Sequence, residues 1–401
     1  MNTQNYGSVE SQNSSELNTG SDCHIEAVFL ANKHSRALGV IIIVLFVGIL
    51  LSFLLNFGIS AYLGTVDTVD SYFDGEEHDN IVLSKFADTF YLSSAVRQSI
   101  TYVDYYLFGR IPTNEIILGD DEFLFPTYDE ENDYNYVADY YGELKPEASE
   151  LALYYQGLLD ITAAYDELGV ACYIAVIPNA QTVYSERMPE FMSEPSEFTR
   201  LRSINDYFAR RGVSNYLDLS NYLIRSKKFG DLYNNTEDSL NSRGAYYAYR
   251  AVIEMLPADV KRLITPVVLN DDDLVQHSGA GKVLARAASL ENVIKNKTVS
   301  LSTDFVQKYQ ILLSYDKYDM AFAKMQYRDD LPALPRIEFS FSSDWDRIIM
   351  IDYLSNTFGT AIYHNSLDFD ADVINEASPT IHVIFLNERN IYKLADGSLL
   401  P

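Results

Sequence analysis

Apolar positions along the chain follow two different rules. From Ala37 to Val66 no charge interrupts them: 30 residues are uncharged, with "LGVIIIVLFVGILLSFLLNFGISAYLG" at their heart. A helix crossing a bilayer needs about 20 apolar residues, and the apolar part of a signal peptide is only roughly 7–15 long. The pattern therefore predicts one transmembrane helix over 37–66. Beyond it, helical spacing alternates with short apolar runs. "PEASELALYYQGLLDITAAYDELGV" predicts a helix opening after Pro146 and closing at Gly169. "ACYIAVIPNA" then reads as a buried parallel strand stopped by Pro178 and Asn179.

The alternation repeats. "EFTRLRSINDYFARRG" is helical, "VSNYLDLS" strand-like and "RGAYYAYRAVIEML" helical; "RIEFSF", "DRIIMIDYLSNTF", "GTAIYHNS" and "TIHVIFLNE" continue as strand, helix, strand and strand. Such a chain predicts an α/β domain with a central parallel sheet flanked by helices. Signals between Thr265 and Arg336 are mixed, so an insertion is expected at about 265–335. The expected organisation is a disordered cytoplasmic tail (1–36), the membrane helix (37–66), a stalk with connecting helices (67–110) and the α/β domain (111–401).

Charge sets the orientation. Lys33 and Arg36 precede the span, and Asp67, Asp70, Asp74, Glu76 and Glu77 follow it. Positive flanks stay inside, which predicts a cytoplasmic N-terminus and an extracytoplasmic C-terminal domain. The net charge of −27 argues against nucleic acid as a ligand. Cys23 and Cys172 lie on opposite sides of the predicted membrane, so no intramolecular disulfide is expected. A bridge-free outer domain of this size suits a bacterial envelope better than animal secretion.

Several short motifs fall away on inspection. "SGAGKVL" lacks the first glycine of a phosphate loop, position 276 being Gln, and Val283 stands where the metal-binding hydroxyl belongs. "DFDAD" (Asp368, Asp370, Asp372) lacks the glycine and terminal glutamate of a calcium loop. The histidines at 24, 34, 78, 277, 364 and 382 show no metal-ligand spacing. No cofactor is expected.

The stretch "TEDSLNSRGAYYAYRAV" (236–252) is more informative. It resembles the signature of the SGNH-hydrolase-like group around alginate O-acetyltransferases, and within it the DHHW proteins of Gram-positive bacteria. The family pattern reads T-D-H-H-W-x-x-x-G-A-Y-Y-A-Y. Thr236 and Gly244 to Tyr249 match it, but Glu237, Asp238, Ser239 and Leu240 replace the four signature residues. "GDDEFLF" (119–125), "VIPNAQTVYSERMP" (176–189) and the block ending in Glu388 and Arg389 are similar to further family segments, in the same order.

The resemblance implies an SGNH-like fold and places Ser342, in "SFSSDW", on the nucleophile. It places Ser239 on the histidine and Glu237 on the orienting carboxylate. Serine needs a neighbouring base to take its proton, and Ser239 is none. The resemblance therefore implies a degenerate acyltransferase or esterase: a partner or scaffold in envelope polysaccharide O-acetylation. Its expected partners are a membrane-bound acyltransferase and a cell-surface polysaccharide. Two alternatives stand beside it. One is an active enzyme using Ser342 with a base recruited from His364 or His277; the other is a glycan-binding module.

Overall fold

The computed structural model describes residues 93–109, 111, 113–192, 194–308, 311–315, 321–325, 336–358, 360–364 and 379–401, with Val47, Gly48, Leu367 and Ile374 besides. The predicted membrane span lies outside these residues except for Val47 and Gly48, and the 368–372 loop lies wholly outside them. Among the described residues no helix is long and apolar enough to cross a membrane. Thr101–Pro401 form one unit.

Its frame is a sheet of β1 (Ala171–Ile177), β2 (Tyr216–Asp218), β3 (Ile311–Tyr315), β4 (Ala321–Met325), β5 (Arg336–Phe341), β6 (Thr360–His364) and β7 (Ile381–Asn387). The order across the sheet is β2-β1-β7-β5-β6-β4-β3. Pairing is parallel from β2 through β6. The centre of the sheet is parallel, as expected, and one edge is antiparallel, where β4 pairs with β6 and with β3. The reason is connection length. Only residues 316–320 separate β3 from β4, enough for an antiparallel return but far short of a parallel crossover. The preceding stretch makes a separate two-stranded sheet, Leu274–Gly279 with Asn296–Leu301.

Helices cover both faces. On one face Cys172, Ile174 and Val176 of β1 and Ile384 and Leu386 of β7 meet α1 (Ala148–Glu167) through Leu158, Ile161 and Tyr165. They also meet α2 (Arg200–Ala209) through Leu201, Ile204 and Phe208. On the other face Ala175, Phe339, Phe341, Val383 and Phe385 pack with α3 (Ser220–Ser226), α4 (Ser242–Met255) and α5 (Asp344–Ser355). The near-continuous apolar runs of β1 and β7 follow from this two-sided burial.

Local signals set the helix starts. Glu147 and Glu150 form a capping box at α1. The Asn241 side chain accepts from Gly244 N at 3.0 Å at the head of α4. Ser343 caps α5, whose first turn carries Asp344 and Asp346.

Candidate functional site

Ser342 follows β5 at the carboxyl edge of the parallel strands, where open α/β sheets bind ligands. Its backbone N–H donates to Phe385 O at 2.9 Å, which holds it against the end of β7. The Ser342 Oγ donates to Asn387 Oδ1 at 2.7 Å and accepts from Asn387 N at 2.7 Å. Asn387 Nδ2 in turn donates to Asp346 Oδ2 at 2.9 Å. Asp346 is buried, and burial raises its carboxyl pKa against the pull of Asn387 and Arg389. The array Ser342–Asn387–Asp346 thus runs hydroxyl, amide, carboxylate. An amide in the middle position holds the hydroxyl but takes no proton from it.

Beside this array stands a charge network. Arg389 Nε pairs with Asp129 Oδ2 at 3.0 Å, and its Nη1 with Asp238 Oδ2 at 3.0 Å. Tyr136 OH donates to the same Asp238 oxygen at 2.9 Å, and Ala180 N donates to Asp238 Oδ1 at 3.1 Å. Burial alone would lower the Arg389 pKa; Tyr136 and the surrounding aspartates outweigh that and hold the guanidinium charged. The neighbouring Glu388 carboxylate is buried on backbone Asn179 N and Thr182 Oγ1, and burial raises its pKa. Ser342, Ser343, Asp344, Asp129, Asn132 and Arg389 line a cleft of about 470 Å³.

Among the described residues, no hydrogen bond joins the sequence-derived site residues Ser342, Ser239 and Glu237 to one another. Neither Ser239 nor Glu237 is hydrogen-bonded to Ser342. Ser239 closes a tight turn, its Oγ accepting from Asn234 Nδ2 at 3.1 Å and its carbonyl from Asn234 N at 3.0 Å. Glu237 is half-buried, and burial raises its pKa against the pull of Lys282. The motif residue turned toward the Arg389 cluster is Asp238. Asn387, Asp346, Asp129 and Tyr136 also carried no sequence signal for this site. The block ending in Glu388 and Arg389 was the legible trace of it.

A second constellation lies in the core. Ser340 Oγ lies 2.8 Å from His382 Nε2, and His382 Nδ1 lies 3.3 Å from Glu338 Oε2, while His364 pairs with the other Glu338 oxygen. This is the order of a serine–histidine–acid triad. Ser340, His382 and Glu338 are fully buried, however, and face away from Phe339 and Phe341. Burial lowers the His382 pKa to about 4, so its imidazole is neutral. No substrate reaches a hydroxyl in that position. The third described histidine, His277, bonds Ser300 on the exposed outer hairpin. Among the described residues no histidine is hydrogen-bonded to Ser342.

A search of curated protein sequences returned no match. Solved structures similar to this chain include the following three. The O-acetyltransferase domain of Pseudomonas putida AlgJ is 15% identical, covering 69% of this chain and 92% of that one, with a TM-score of 0.43. Bacillus cereus PatB1 is 13% identical over 71% and 99%, with a TM-score of 0.47. A DHHW family protein from Eubacterium siraeum DSM 15702 is 14% identical over 72% and 96%, with a TM-score of 0.44. The family model of the SGNH hydrolase-like domain of acetyltransferase AlgX matches residues 116–317, half of the chain, and the chain belongs to that family.

Proposed function

We propose that this chain is a membrane-anchored, catalytically silent member of its family. It holds glycan in the Ser342 cleft during cell-envelope polysaccharide O-acetylation, beside a membrane-bound acyltransferase that supplies the acyl group. The family supports the pathway, and the apolar span at 37–66 supports the anchor. The observation that carries the loss of catalysis is the Asn387 amide on Ser342 Oγ. Acyl transfer through serine requires a group that removes the hydroxyl proton as the bond to the acyl carbon forms. General-base assistance is worth roughly 10²–10⁴-fold, and Asn387 supplies none of it.

The test has two arms. Serine-directed phosphonates should leave the wild-type chain unlabelled, and acetyl esters should not turn over above background. Deleting the gene should lower polysaccharide acetylation, and the Ser342→Ala variant should restore it. Labelling at Ser342, together with failure of that variant to complement, would overturn the proposal and return the active-enzyme reading.

A further inference from the structure

We infer that Trp345 is the aromatic platform of a glycan subsite at the rim of the Ser342 cleft, taking the apolar face of a pyranose ring. This rests on the glycan-holding reading above and names how the same site grips its ligand. Trp345 is the only tryptophan in the chain. It follows Ser342, Ser343 and Asp344, which line the cleft. Trp345 is 42% exposed, while the next residue, Asp346, is buried in the array behind Ser342.

A single exposed apolar residue is ordinary. Two features set this one apart. The indole N–H donates to the Leu240 carbonyl at 3.0 Å, so the ring's one polar group is already satisfied by the protein. That bond ties the ring to the loop carrying Asp238 and limits its rotation, which lowers the ordering cost of any contact on its face. What the ring offers solvent is then chiefly carbon. Ile348, one helical turn on and 53% exposed, extends the apolar strip.

The adjoining cleft supplies the complementary chemistry. Arg389, Asp129, Asn132 and Asn390 line it as a set already bonded together, Arg389 and Asn132 donating to Asp129 and Asn390 to Asn132, and Asp344 and Lys393 line it beside them. Sugar hydroxyls each donate and accept, while one face of a pyranose presents only C–H groups. A dense polar lining beside a fixed aromatic ring matches that two-sided surface. A nucleic-acid strand would meet the aspartates with like charge.

The experiment uses the full chain in detergent micelles, titrated with short neutral, amino-sugar and uronate oligosaccharides. Binding is read by calorimetry and by Trp345 emission. At least one oligosaccharide should bind and shift the emission. Trp345→Ala should weaken it about tenfold, equivalent to about 1.4 kcal/mol. Trp345→Phe, which keeps a ring but loses the N–H, should retain most of the affinity; circular dichroism melts check that both variants fold. Should an oligosaccharide bind wild type and Trp345→Ala equally, with emission unmoved, the platform fails and the glycan-holding reading stands. Binding of no oligosaccharide to wild type overturns both.

Discussion

Hydrogen bonds to buried carboxylates are worth more than those between neutral groups, and this gives the residues behind Ser342 a measurable structural role. Asn387 is the donor that satisfies Asp346 Oδ2 while its Oδ1 accepts the Ser342 hydroxyl. Replacing it by leucine strands a buried carboxylate. Asn387→Leu should therefore lower unfolding stability by about 2–3 kcal/mol, read from the urea midpoint. Adding Asp346→Asn to that variant should recover part of the loss, because a neutral amide avoids the burial cost that raises the Asp346 carboxyl pKa. An Asn387→Leu protein as stable as wild type would show that the array contributes nothing to folding.

Helix α4 shows why the Gly-Ala-Tyr pattern follows the degenerate signature at a set distance. A Cβ built on Gly244 would lie 2.0 Å from Leu232 O, so only glycine lets the first turn of α4 approach that backbone. Asn241 fixes the same junction twice, capping α4 through Gly244 N and donating to Asp231 O at 2.8 Å. Tyr353 OH, donating to Ser242 O at 2.8 Å, then joins α4 to α5 and so to the segment that begins at Ser342. Gly244→Ala in an exposed helix would gain about 1 kcal/mol of propensity. Here the overlap should reverse the sign, with a net loss of about 1–3 kcal/mol and a lower melting temperature. A melting temperature equal to or above wild type would mean that the Leu232 backbone yields at no cost.

Over the whole molecule, the buried titratable groups pull the pH dependence of stability in opposite directions. The His382 pKa is lowered in the fold from 6.5 to about 4, by burial first and against the pull of Glu338. A depressed histidine binds fewer protons folded than unfolded, so its contribution is fully present above pH 6.5 and is lost as pH falls toward 4. Its size is at most on the order of 3 kcal/mol. Glu388 acts the other way: its raised pKa gives stability present at acid pH and lost as pH climbs above the ordinary carboxylate range. Comparison of variants separates the two. His382→Gln should flatten the acid-side fall between pH 6.5 and 4, and Glu388→Gln should flatten the alkaline-side fall. Identical pH profiles for wild type and His382→Gln would refute the neutral, buried assignment of that imidazole.

What the chain reveals by itself is what short-range pattern encodes. The fully apolar runs of β1 and β7 mark strands covered on both faces, and those two strands pair in parallel. Pro146 and Gly169 punctuate a helix at positions that backbone geometry dictates. The order of weak motifs identified the family, because each reports a local backbone need at a fixed spacing.

Side-chain direction required the tertiary structure. Which residue of Glu237–Asp238–Ser239 meets the Arg389 cluster depends on the rotation of a loop, and the partners that set it, Arg389 and Tyr136, lie 151 and 102 positions away. The "RIEFSF" strand alternates polar and apolar as a half-exposed strand would. Glu338 and Ser340 are nonetheless buried, because register with β7 brings His382 opposite Glu338. A polar group is admitted to a core only when its partner arrives with it. The sequence of one strand holds no record of what its neighbour will present.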